Sequence, residues 1–129
     1  MKLCPLKATP DELNSCVALA LNAEDCGRYW LFKNCITLGK YSAIFKEDWL
    51  PCTDWSLGGP IIEREKISLH RFIDSTMYER WEAETFKNEH YADCRQGDNV
   101  QGSTALIAAM RAFVLGKLGP VVELADETK

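Results

Sequence analysis

The chain has 129 residues, 47% hydrophobic and 26% charged, which excludes a disordered segment and fits one domain spanning 1–129. Its net charge of −4, with no run of Lys or Arg, argues against nucleic acid as a partner, because phosphates demand a basic footprint. No apolar stretch approaches the roughly 20 residues of a spanning helix, and no signal-type h-region follows Lys2, so no membrane association and a cytoplasmic location are expected.

In that compartment the six cysteines, Cys4, Cys16, Cys26, Cys35, Cys52 and Cys94, are expected to stay reduced. No two are spaced as C-x-x-C, and His70 and His90 follow no ligand spacing, so the sequence motivates neither a metal site nor a cofactor.

The first ordered element expected is a helix. Thr9 can cap it, Pro10 suits the first helical position, and Glu12 can close a capping box. Leu13, Cys16, Val17, Ala20 and Leu21 then recur at helical spacing, with Cys16 packing as a small apolar residue. The residues before it, about 1–8, are expected to fray. Tyr29 to Leu38 reads as a strand, and Tyr41 to Phe45 as a second extended piece. Glu47 to Gly59 carries Pro51, Asp54, Ser56, Gly58 and Gly59 and reads as irregular loop. Pro60 to Glu63 and Ile67 to His70 read as two strands joined by a hairpin turn at Arg64-Glu65-Lys66. A single strand from Ile61 to Leu69 would instead set Glu63 and Glu65 among aliphatic residues, at a desolvation cost.

Met77 to Phe86 mixes strand and helix signals, and the reading settles on a strand around Trp81. Lys87 to Gly102 is polar and reads as loop. Ser103 or Thr104 caps a last helix whose core stripe is Leu106, Ile107, Met110, Val114 and Leu118, ending at Gly119-Pro120. Val121 to Leu124 can add an edge strand before a frayed tail at about 125–129. The expected class is α+β: a small, mostly antiparallel sheet packed with an N-terminal and a C-terminal helix.

Two segments carry a resemblance: Cys52-Thr53-Asp54-Trp55-Ser56-Leu57-Gly58-Gly59-Pro60-Ile61-Ile62-Glu63-Arg64-Glu65, and Gly102-Ser103-Thr104-Ala105-Leu106-Ile107-Ala108-Ala109-Met110-Arg111 running on to Lys117-Leu118-Gly119. In content, order and separation they resemble the NinX-like family of small phage and prophage proteins of unknown function. Trp81 falls where a family tryptophan is expected. The chain departs from the pattern at Lys66, where relatives often carry Gly, and at Ala105, where they often carry Pro. The resemblance implies a phage origin and action in the host cytoplasm, and it brings no established activity.

Candidate ligand-binding residues are Thr53, Asp54, Trp55, Gly58, Gly59, Glu63, Trp81 and Arg111. Glycines let backbone N–H groups approach a ligand, Trp55 offers a stacking face, and Asp54 can accept from a base or ribose. Arg111 interrupts an otherwise small and apolar helix, so it can clamp a phosphate or carboxylate, with the helix start at Gly102-Ser103-Thr104 helping. The competing readings make Asp54 a turn cap, Trp55 core, Gly58-Gly59 a tight corner, and Arg111 the salt-bridge partner of Glu63 or Glu65.

The leading functional expectation is a non-enzymatic accessory protein that sequesters a small polar or nucleotide ligand, such as a nucleotide-derived host immune signal. A second is an inhibitor that docks on a host protein through Trp49, Trp55 or Tyr91. A third is a metal-dependent hydrolase using Asp54, Glu63 and Glu65. A homo-oligomer is left open.

Overall fold

The computed structural model describes residues 2–35, 39–73, 77, 79–84 and 100–124. In chain order these form β1 (Lys2–Leu3), α1 (Pro10–Ala20), β2 (Glu24–Asp25), β3 (Tyr29–Cys35), β4 (Gly39–Phe45), a 3₁₀ turn (Lys46–Asp48), α2 (Trp55–Glu65), β5 (Ser68–Ile73), β6 (Glu79–Glu84), β7 (Val100–Gly102), α3 (Ala105–Leu118) and β8 (Val122–Glu123). The class is α+β, and each described strand pairing is antiparallel. The expected single sheet is divided into three: β1–β8, β2–β3–β4 and β5–β6–β7.

Helix α1 forms as its sequence dictates. Thr9 Oγ1 accepts from the Glu12 N–H at 3.2 Å, and Glu12 Oε1 accepts from the Thr9 N–H at 3.0 Å, closing the capping box. Leu13, Cys16, Val17 and Ala20 are buried on its inner face. In the segment before α1, Lys2 and Leu3 pair with Glu123 and Val122, Pro5 is fully buried, and Ala8 is 2% exposed. Strand β3 turns Trp30 and Phe32 inward and pairs with β4 from Tyr29↔Phe45 to Cys35↔Gly39.

Between β4 and α2 the chain is pinned under α1. Trp49 is buried against Phe32, with ring centroids 4.7 Å apart, and its Nε1–H donates to the Asn14 carbonyl at 2.9 Å. The Asn14 side chain is itself buried and accepts from the Cys52 N–H at 3.0 Å. Each of these buried polar groups is therefore satisfied. Trp49 is thus core and not an available docking anchor; Tyr91 lies outside the described residues.

The largest departure from the sequence reading follows. Trp55 to Glu65 is neither loop nor strand but helix α2, so the expected hairpin over residues 60–70 does not exist. Asp54 caps the helix, its Oδ1 accepting from the Ser56 N–H at 2.9 Å. Leu57, Gly58 and Ile61 fall on one face and are buried. Pro60 sits inside the helix and removes one backbone hydrogen bond. Packing of the Leu57/Ile61 face outweighs that local penalty. The helix stops at Lys66, which adopts a left-handed conformation (φ 56°, ψ 49°). The Lys66 N–H then bonds the Glu63 carbonyl and the Ile67 N–H the Ile62 carbonyl, the paired pattern of a Schellman cap.

Strands β5 and β6 pair in register from Ser68↔Glu84 to Ile73↔Glu79, and β7 completes that sheet through Trp81↔Gly102 and Ala83↔Val100. The strand expected around Trp81 is therefore present. Helix α3 is the central element, packed against α1, α2, β5, β6 and β7. Thr104 caps it by accepting from the Ile107 N–H. The residues from Leu106 to Leu115 are buried on every face, with Arg111 as the partial exception, while Leu118, expected in the stripe, is 37% exposed. Its alanines let neighbours come close: a Cβ on Gly102 would lie 2.5 Å from the Ala108 backbone nitrogen.

Candidate functional site

The residues singled out in the sequence do not form one site. Thr53, Asp54 and Trp55 stand exposed at the start of α2, with Trp55 at 55% exposure. Asp54 accepts from both the backbone N–H and the hydroxyl of Ser56, at 2.9 and 2.7 Å. Its role here is the helix cap. Gly58 and Gly59 are helical, and the Gly58 N–H is engaged by the Asp54 carbonyl at 3.0 Å. They do not form a glycine loop that offers N–H groups to a ligand.

Glu63 is exposed in the last turn of α2. At about 1.5 Å per residue it lies roughly 13 Å along the helix from Asp54. That separation overturns the grouping of Asp54 with Glu63 and Glu65 around one metal. Among the described residues, no group of His, Cys, Asp and Glu is arranged to hold a metal ion.

Arg111 pairs with neither Glu63 nor Glu65. Its Nη1 donates to the Gln101 carbonyl at 3.0 Å and its Nη2 to the Ala8 carbonyl at 3.1 Å. One guanidinium therefore joins α3, β7 and the segment leading into α1. Glu65 instead meets Lys117 at 3.8 Å, linking the end of α2 to the end of α3. A guanidinium carries five N–H donors, and the two backbone carbonyls use two of them. The Arg111 Nε–H is buried without an acceptor. Desolvation pulls the Arg111 pKa below the usual arginine range, opposed by nearby Cys52 and Cys4. The charge stays in place, but the site holds a poorly solvated cation that an anion would stabilise.

Arg111 lines a recess of about 440 Å³ together with Leu6, Arg80, Val100, Gln101, Gly102 and Ser103. Two arginines thus share one concavity beside the start of α3, where helix N–H groups also favour negative charge. Trp81 belongs to the same corner, since it pairs directly with Gly102. None of the Thr53 to Glu63 residues lines the recess.

Sequence reasoning missed Arg80 and Gln101. The signal for Arg80 was the period-two pattern of β6, in which the inward residue Ala83 alternates with charged neighbours. Gln101 had no comparable signal, because its relation to Arg111 depends on how β7 meets α3.

No helix among the described residues is long and apolar enough to cross a membrane. No curated protein matches the chain. The family model of bacteriophage P22 NinX matches residues 9–117, from the cap of α1 to the last turn of α3 and across both sequence motifs. The chain belongs to the phage P22 NinX family.

Proposed function

We propose that this phage protein binds a small phosphate-bearing ligand of nucleotide size in the Arg80/Arg111 recess, sequestering a host signal of that chemistry in the host cytoplasm. The observation that carries the reading is the pairing of two arginines in one concavity of an acidic protein, one of them partly desolvated. The volume falls within the usual range for small-ligand sites. Ser103 and Gln101 add polar contacts at the rim, and the bidentate geometry of guanidinium suits phosphate oxygens.

Thermal shift with mononucleotides, cyclic nucleotides and cyclic dinucleotides tests this. Binding raises stability by about 2.7 kcal/mol at a hundredfold excess over Kd. That protection should disappear in Arg80→Gln while the unliganded melting temperature stays near that of the wild type. A flat response across the whole panel at millimolar ligand removes the proposal. A second reading, docking onto a host protein, draws on the exposed indole of Trp55. A host protein retained by the wild type and lost in Trp55→Ala would favour it.

A further inference from the structure

A second, larger concavity lies on another part of the surface, between α1, the β2–β3–β4 sheet and the end of β8. Its volume is about 700 Å³. Leu19, Trp30, Leu50 and Leu124 give it apolar walls, and the carboxylates of Asp11, Glu12, Asp25, Glu47 and Glu123 line it. Lys46 supplies its one cation. The chain holds 15 Lys and Arg against 19 Asp and Glu; removing the one Lys and five acids of the cleft leaves fourteen of each. The net charge of the protein is therefore matched by the charge of this cleft.

The cleft also displays how it holds a cation. Lys46 Nζ lies 4.7 Å from the centroid of the Trp30 ring and 2.8 Å from Asp25 Oδ1. Burial alone would raise the Asp25 carboxyl, but Lys46 and the Gly27 N–H together outweigh it and hold the group below the usual carboxylate range. An indole face and a carboxylate converge on one ammonium, the arrangement that recognises cationic side chains. Asp11 and Glu47 stand exposed at the rim beyond it, and Leu50 offers an apolar contact at 36% exposure.

We infer that this cleft is a docking groove for a basic segment of a partner protein, one that places Lys or Arg beside an aliphatic residue. Charge complementarity sets the sign of the occupant, and the apolar walls require more than a bare cation. The cation would meet Asp11 and Glu47, and the aliphatic neighbour would lie against Leu19, Leu50 and Leu124. The surface is separate from the Arg80/Arg111 recess, so neither reading depends on the other.

A displayed library of random peptides of roughly twelve residues, panned against the full-length protein, provides the probe. Enriched sequences should carry Lys or Arg next to an aliphatic residue. A selected peptide should lose affinity about tenfold in Glu47→Lys, which is about 1.4 kcal/mol. It should also lose several-fold in Leu50→Ser. Asp48 is the neighbour of Glu47 on the 3₁₀ turn and does not line the cleft. Asp48→Lys makes the same change in net charge and should cost less than about threefold. Equal losses in the two lysine variants would reduce the effect to overall charge and overturn the inference. Enrichment without basic residues would overturn it as well. So would spermine binding that is as strong as the peptide's and unchanged in Leu50→Ser, which would make the cleft a polyamine site. Glu47→Gln, expected to weaken binding in the same direction, guards against misfolding of the reversal variant.

Discussion

Two adjacent glycines in α2 should respond to the same substitution by very different amounts. Gly58 and Gly59 both occupy helix interior, where replacing Gly by Ala ordinarily gains about 1 kcal/mol. At Gly59 a Cβ would meet Trp55 Cε3 at 3.8 Å, an ordinary contact, but Pro60 follows and its Cδ crowds a Cβ on a helical predecessor. The propensity gain and the proline crowding offset one another, so Gly59→Ala should change stability by less than about 0.5 kcal/mol. At Gly58 the same atom would stand 2.6 Å from the Pro51 carbonyl oxygen and 2.6 Å from Leu106 Cδ2. The leucine methyl can rotate away, but the carbonyl cannot. Pro51 is fully buried and the next residue is bonded through its N–H to Asn14, so the loop has nowhere to retreat. Overpacking of this kind costs about 1–3 kcal/mol, and more where backbone must move. Set against the propensity gain, Gly58→Ala should lose about 2 kcal/mol. The two variants should then differ by about 2 kcal/mol, or roughly 7 °C in melting temperature for a domain of this size. Urea unfolding followed by circular dichroism measures both, with unchanged m values confirming comparable unfolding. A Gly58→Ala variant within about 0.5 kcal/mol of wild type would refute the close approach of α2 to Pro51.

The left-handed conformation of Lys66 carries strain that glycine would relieve, so Lys66→Gly should stabilise by roughly 0.5–1 kcal/mol, read as a higher urea midpoint. Arg111→Ala should cost about 3 kcal/mol, because two carbonyls lose a charged donor at once; a loss under about 0.5 kcal/mol would show that the guanidinium ties nothing together. Glu65→Gln, which disturbs partly exposed contacts with Lys117 and Arg64, should change stability by less than about 1 kcal/mol in the same melts. Burial, reinforced by Glu12, raises the Cys16 thiol to about 11; burial also raises the Cys52 thiol to about 12, with Arg111 opposing. A folded-state pKa above the unfolded value near 8.5 stabilises fully below that value and progressively less as pH climbs toward 11–12. Stability should accordingly fall above about pH 9, and both thiols should resist a disulfide reagent at pH 8 until urea unfolds the chain.

Much of the fold was legible because it rests on local chemistry. The capping box at Thr9 and Glu12, the spacing of Leu13, Cys16 and Val17, the aromatic and aliphatic run of β3 and the cap at Thr104 each act within a few residues, so the pattern alone specifies the element. The NinX motifs were legible for the same reason. Helix α2 was not. Gly58, Gly59 and Pro60 all disfavour helix locally, and only the burial of Leu57 and Ile61 in the core reverses that preference. The motif around Asp54 and Trp55 therefore looked like a binding loop, when much of it is a helix start and a packing contact. The candidate site shows the same division. Arg111 stood out as the charge that interrupts an apolar helix, but its partners are backbone carbonyls on Ala8 and Gln101, and carbonyls have no sequence signature. Arg80 and Ser103 join it only because β6, β7 and α3 meet at one corner. The acidic cleft is likewise assembled from α1, β2, β3, the 3₁₀ turn with the segment after it, and β8, with its carboxylates scattered along the chain. The sequence by itself determined the class, the two flanking helices, the β3–β4 strands and the family. Tertiary structure decided which side chains share a concavity, because that depends on contacts between residues far apart in the chain, which no local pattern encodes.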